Sequence, residues 1–331
     1  MKKKLFIIYL SVYASINVFG QKQQNSTINI SHTYADEITV NDLRKHLEIL
    51  ASDEFEGRKT GEPGQKKAAE YIRNFYKQHQ IPALPGTEDY YQLVPSEAMK
   101  RMFSPKLNDS ENVIAYIKGE ELPNEYIVIS AHYDHIGMAN GEIFNGADDD
   151  ASGTTATLLL AKLFQQAKQN GHGPKRSIIF LHCTGEEYGL HGSRYFANNP
   201  LVPLNQIKAN INIDMIGRID NIYKTDGNYI YLVGSLDEGK HLYANAEKAN
   251  NELTQLKIDY TYDSRTHPDM IFYRSDHYNF ARHNIPVLFF YSGEHDDYHK
   301  STDTVDKIEF EWMKKRTQLI FLTTWFTANE F

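Results

Sequence analysis

Short runs of β-branched and aromatic residues punctuate the chain at residues 112–118, 126–132, 177–184, 210–215, 229–233 and 285–291. Several are apolar almost throughout. A strand covered on one face alternates polar and apolar positions, whereas one covered on both faces does not, so these runs predict the inside of a buried sheet. Between them the period changes. Ala156, Leu159, Leu160, Leu163, Phe164 and Ala167 follow the i, i+3, i+4, i+7 stripe of an amphipathic helix, and Ile308, Trp312, Leu319, Leu322 and Phe326 mark a terminal one. The alternation predicts an α/β fold: a three-layer sandwich whose central, mostly parallel mixed sheet carries helices on both faces. In such sheets, sites form in crevices outside the carboxyl ends of the strands.

The polar clusters fall at those ends. AHYDH closes the run at 126–132, TGEE follows the run at 177–184, and NIDM finishes the run at 210–215. His132 and Asp134 are two apart and share a face of an extended segment. A carboxylate behind a metal-bound imidazole would fix its tautomer, while a plain His–Asp hydrogen bond is the bland alternative. Asp148, Asp149 and Asp150 stand in a row before the amphipathic helix. One aspartate suffices as a helix cap; two more add repulsion unless a cation stands nearby, and Gly146 and Gly153 suggest a backbone that makes a close approach.

Glu186 and Glu187 leave the chain in different directions, so one could bind an ion while the other faces a water molecule. Asp214, flanked by Ile211, Ile213, Met215 and Ile216, would be expensive to bury unpaired. Asp149, Glu187 and Asp214 with two neutral imidazoles would nearly balance two Zn²⁺ ions, and a bridging hydroxide would complete neutrality. His295 and His299 are four apart, but no glutamate follows His295 and the stretch leaves a strand, so the helical H-E-x-x-H reading is rejected.

Composition narrows the function classes. The 331 residues carry a net charge of −8, which falls three further if Lys2, Lys3 and Lys4 are removed, and no basic cluster remains to track a phosphate backbone. Nucleic acid is therefore not an expected partner. The lone Cys183 excludes an intramolecular disulfide. Three lysines followed by an apolar stretch from Leu5 to Phe19 read as a signal peptide cleaved near Gly20, too short for the ~20 residues of a membrane span. The expected organisation is a leader at 1–20, an extension at 21–40 and one domain at 41–331, exported to the periplasm or beyond the cell without stable membrane insertion.

The motifs H-Y-D, G-A-D-D-D-A-S-G, E-E-Y-G-L-x-G-S, I-D-M, S-D-H and Y-H-x-S-x-D-T occur in that order. Together they make the chain resemble the secreted leucine-aminopeptidase family of di-zinc exopeptidases, from about Asn41 to the C-terminus. The resemblance implies one zinc held by His132 and Asp214, a second by Glu187 and His299, and a bridging Asp149. It also implies Glu186 as general base and Asp134 as the residue orienting His132. The implied substrates are peptides with a free N-terminal amine. Tyr273 does not match the usual spacing of the tyrosine that stabilises the oxyanion in relatives, and the stretch between Gln80 and Asn112 is too short for the inserted domain many of them carry.

Three alternatives compete. Glutaminyl cyclases share the fold, but S-D-H-Y-N-F stands here in place of their D-D-H-x-P-F pattern. A carboxypeptidase or dipeptidase on the same metal core depends on whether the pocket presents acids to an amine or bases to a carboxylate. An inactive peptide-binding protein would have no need of Glu186.

Overall fold

The computed structural model describes residues 30–101, 106–234 and 239–330. The expected leader lies outside the described residues. Among the described residues the strands are β1 (Tyr91–Val94), β2 (Ser110–Ile117), β3 (Leu122–His132), β4 (Gly137–Ala139), β5 (Glu142–Phe144), β6 (Arg176–Cys183), β7 (Ile207–Ile213), β8 (Tyr229–Val233), β9 (Lys257–Asp259) and β10 (Val287–Tyr291). Eight of them make one sheet in the order β1-β2-β6-β3-β7-β10-β8-β9, and β4 and β5 form a separate hairpin.

The middle strands β6, β3, β7 and β10 are mutually parallel. Antiparallel pairings of β2 with β6 and of β8 with β10 flank this core. Parallel neighbours need crossover connections. Helix α3 (Ala151–Gln169) links β3 towards β6, and helix α4 (His191–Asn198) links β6 towards β7.

Residues of each strand alternate between two cores. Ile127, Ile129, Ile211 and Ile213 pack with α1 (Val40–Leu50), α2 (Pro63–Gln78), α3 and the terminal helix α7 (Phe310–Asn329). Val128, Ile179, Leu181 and Phe289 face the opposite way, towards Phe196 of α4 and Phe280 of the short helix α6 (His277–Ala281). α5 (Lys240–Ala249) joins the first layer through Leu242 and Ala246. The expected sandwich is therefore present, and β6 is buried along its whole length.

Because the four middle strands run the same way, their carboxyl ends open on one edge. His132 is the last residue of β3, Asp214 follows β7 directly, and Glu186 and Glu187 lie just beyond β6. Among the described residues no helix is long and apolar enough to cross a membrane.

Candidate metal centre

The three consecutive aspartates divide their work. Asp150 caps α3, accepting from the Gly153 amide at 2.8 Å, and also accepts from the amides of His132 at 3.2 Å and Met215 at 3.1 Å. It thereby ties the ends of β3 and β7 to one helix start. Asp148 accepts from the Gly217 amide at 2.6 Å and lies 3.3 Å from His295 Nε2. Asp149 turns the other way: its Oδ1 is 3.1 Å from His132 Nε2 and its Oδ2 is 3.1 Å from His299 Nε2. Spacing left the three aspartates equivalent; in the fold two of them bind backbone amides and Asp149 faces the two imidazoles.

Around Asp149 the other expected residues converge. His132 Nε2 is 3.5 Å from Asp214 and 4.0 Å from Glu186. His299 Nε2 is 3.0 Å from Glu187. Asp214 is held by Ser275, whose hydroxyl donates to it at 2.6 Å while accepting from Asn212 at 2.7 Å. Of the S-D-H triplet, Ser275 thus fixes Asp214 in the centre. Asp276 makes no capping bond to α6, and His277 stacks on Phe289 with ring centroids 4.7 Å apart.

Asp134 sits differently from the expectation that its carboxylate orients His132. Its carboxylate is 3.9 Å from His132 Nδ1, and the nearer acceptor is its own backbone carbonyl at 3.2 Å. The carboxylate instead accepts from Thr60 at 2.6 Å and from the Glu186 amide at 3.1 Å, which fixes the turn carrying the two glutamates. Burial pushes Asp134 up to about 6.

Two participants escaped the sequence reading. His135, fully buried, places Nδ1 2.6 Å from Glu187 Oε1 and 3.8 Å from Asp149, yet neither that nitrogen nor Glu187 Oε1 makes a directed hydrogen bond. Its only signal was its position in AHYDH. Arg58 is 1% exposed and donates to the carbonyls of Leu50, Tyr133, Asn145 and Gly146 at 2.6–2.9 Å. Burial lowers its pKa while Asp149 and Asp134 raise it, so a permanent cation underlies the aspartate loop. Gly146 is explained by the same crowding: a Cβ there would stand 2.2 Å from the Asp149 carbonyl and 2.5 Å from the His135 ring. The close approach is to the chain itself.

The electrostatics describe a cluster short of positive charge. Burial raises Glu186 well above its ordinary value. Burial alone would lower both His132 and His299, but Asp214 and Glu186 raise the first well above its usual range, and Asp149 and Glu187 lift the second to about 10. Asp149, despite burial, is held well below its usual value by His132 and His299. Ligand atoms of His132, Glu186 and Asp214 all lie within 4.8 Å of one another, and so do those of His132, Asp149 and Glu187. Imidazole nitrogens and carboxylate oxygens at this density suit a divalent cation such as zinc. The orphaned atoms of His135 and Glu187 point to the same deficit.

Two spaces open from the cluster. A narrow recess is lined by the acids Asp149, Glu186 and Asp214, by the apolar Met215, Ile271 and Phe289, and by Arg274, which also borders the second space. A broader cleft of about 310 Å³ runs past Glu186, Glu187 and His299. Tyr298, stacked on the His299 ring at 3.8 Å, borders both.

Fold and centre together define a peptidase-like α/β scaffold, and comparison with known proteins gives it a family. Residues 112–324 match Peptidase family M28, roughly two thirds of the chain. The chain belongs to that family. It is 37% identical over 112 residues to a probable zinc metalloprotease of Pyrenophora teres f. teres, covering 32% of this chain and 22% of the relative. It is 30% identical over 186 residues to probable leucine aminopeptidase 2 of Aspergillus oryzae, covering 55% and 33%. The matched stretches span only 12–33% of the length of the first curated relatives. The LapA aminopeptidase of Legionella pneumophila superposes with a TM-score of 0.70 at 20% identity, over 92% of this chain and 74% of that one. Fimbriiglobus ruber glutaminyl cyclase shares the fold with a TM-score of 0.61 at 16% identity, over 87% and 95%. At such identities the likeness is one of fold.

Proposed function

We propose that this protein is a zinc-dependent aminopeptidase that hydrolyses the first peptide bond of peptides with a free N-terminus. The observation that carries the reading is the position of Asp149, one oxygen towards His132 and the other towards His299, with Asp214 and Glu187 beyond them. In this reading His132 and Asp214 hold one ion, Glu187 and His299 hold a second, and Asp149 lies between. Zinc bound there supplies Lewis acidity towards the scissile carbonyl and the attacking water.

The chain's own groups do the rest. Glu186, made more basic by burial, takes a proton from the attacking water and delivers it to the departing amine. The bond from its amide to Asp134 keeps that carboxylate aimed. The acids beside the narrow recess favour an amine at that end of the substrate, and Met215, Ile271 and Phe289 favour an apolar first side chain. The peptide must continue through the broader cleft. The protein is further proposed to be exported as one domain, its leader removed near Gly20; the N-terminal sequence of the mature protein tests that.

The deciding experiment assays the zinc-loaded protein on free-N-terminal, N-acetylated and glutamine-initiated peptides, before and after chelation, with zinc stoichiometry measured alongside. The expected result is stepwise removal of N-terminal residues, loss with chelator, and recovery at two zinc per chain. Cleavage of N-acetylated peptides alone indicates a carboxypeptidase. Ring closure of N-terminal glutamine without hydrolysis indicates a cyclase.

A further inference from the structure

The broader cleft has a second lining that the hydrolytic reading does not use. Beside Glu186 and Glu187 the same cleft is lined by Arg101, Arg194, Arg274 and Arg282, contributed by three distant stretches of a chain whose net charge is −8. Arg274 is satisfied within the protein, paired with Glu294 at 2.6 Å and donating to the Tyr298 hydroxyl at 3.3 Å. The other three differ. Among the described residues none of Arg101, Arg194 and Arg282 forms an ion pair with a carboxylate. Arg194 is nonetheless anchored, donating to the Ala98 carbonyl at 3.2 Å and contacting His191.

Their mutual proximity is felt electrostatically. Burial lowers the Arg194 pKa, and Arg101 and Arg282 lower it further. The Arg101 guanidinium lies against the loop that presents Glu186 and Glu187, where a Cβ on Gly189 would come 2.1 Å from one of its nitrogens. Planar guanidiniums without an acid partner are suited to binding a carboxylate through paired N–H···O bonds.

We propose that this wall is a carboxylate-recognising subsite on the leaving-group side of the scissile bond. It selects peptides carrying a carboxylate just beyond that bond: the α-carboxylate of a di- or tripeptide, or an Asp or Glu side chain. The proposal rests on the aminopeptidase reading for its orientation. An amine held by acids at the recess and a carboxylate held by arginines of the broader cleft fit the two charged ends of a short peptide.

Steady-state kinetics of the zinc-loaded enzyme test this with three substrates: Leu-Ala, Leu-Ala-amide and Leu-Glu-amide. The expected result is a KM about tenfold lower for Leu-Ala than for its amide, with a much smaller difference in kcat. A matching gain for Leu-Glu-amide identifies side-chain carboxylates as a second source; its absence restricts the subsite to the chain terminus. In Arg282→Gln and Arg101→Gln the ratio of the two KM values falls towards one, and Arg282→Lys restores part of it. Calorimetric titration of Glu186→Gln with Leu-Ala and its amide reads the same preference without turnover. Equal KM and equal affinity for acid and amide forms would overturn the subsite even if peptides are hydrolysed. A binding preference for the acid, with no hydrolysis of any peptide, would keep the subsite and overturn the aminopeptidase reading.

Discussion

The cleft crowds like charges together twice, once on its floor and once on its wall. On the floor, Asp149 is 3% exposed, Asp214 is buried, and Glu186 and Glu187 are largely covered, so water screens them poorly. On the wall, Arg101 and Arg282 are exposed and only Arg194 is partly covered. The same repulsion is tolerable on the wall because solvent screens it, whereas on the floor it demands a built-in or bound cation. The floor is accordingly overdetermined by hydrogen bonds from Thr60, Ser275 and Arg58, and the wall is not. Substitutions on the floor should therefore be severe, and those on the wall should be selective.

The largest effect is expected from Glu186→Gln. Turnover should fall by about 10²–10⁴-fold while zinc content and melting temperature are retained, as read by rates, metal analysis and calorimetry. Retained activity would show that the floor's base lies elsewhere. Next comes Arg58→Met, which removes the buried cation and strands several carbonyls; a loss of about 3–5 kcal/mol in urea unfolding is expected. A change below about 1 kcal/mol would mean that the aspartate loop is held by its capping bonds alone.

Acid separates a third group, the buried imidazoles of His182 in β6 and His277 at the start of α6. Burial lowers both His182 and His277 to about 3. Their folded pKa values lie below the unfolded ~6.5, so their contribution is full above that pH and is lost as pH falls towards 3. Each adds a slope of about 1.4 kcal/mol per pH unit within that window, which urea midpoints of the chelated protein at pH 7.5, 6 and 5 would reveal. His182→Gln should flatten the slope by one proton's worth. The smallest effect belongs to the wall: Arg282→Gln should shift unfolding by no more than about 0.5 kcal/mol, so that any large loss of stability would contradict its description as a solvated surface.

The same contrast governs what the sequence made legible. Residues 229–233 read as a buried strand and β8 occupies that span, because a strand covered on both faces writes its burial into an unbroken apolar run. The candidate metal-centre residues were named through the ordered motifs and the resemblance they carry, and the structure brings Asp149, His132, His299, Glu187 and Asp214 together. The edge strands β1 and β9 and the β4–β5 hairpin were not read, being three or four residues long with no period to detect. Arg58, within LASDEFEGRKTG, looks like any surface charge; only the tertiary fold surrounds it with carbonyls. The arginine wall was invisible for a related reason, since no local pattern links positions 101, 194, 274 and 282.

Arg58 also bears on how this protein could be dissected. It lies upstream of the stretch shared with the family, yet its guanidinium knots together Leu50, Tyr133 and the turn that presents the aspartates. A fragment trimmed to residues 112–324 would keep the proposed metal-binding side chains and forfeit the clasp beneath them. The proposed hydrolytic apparatus is thus no portable cassette: the stretch around Arg58 acts as a keystone, and grafting or shortening must carry it along.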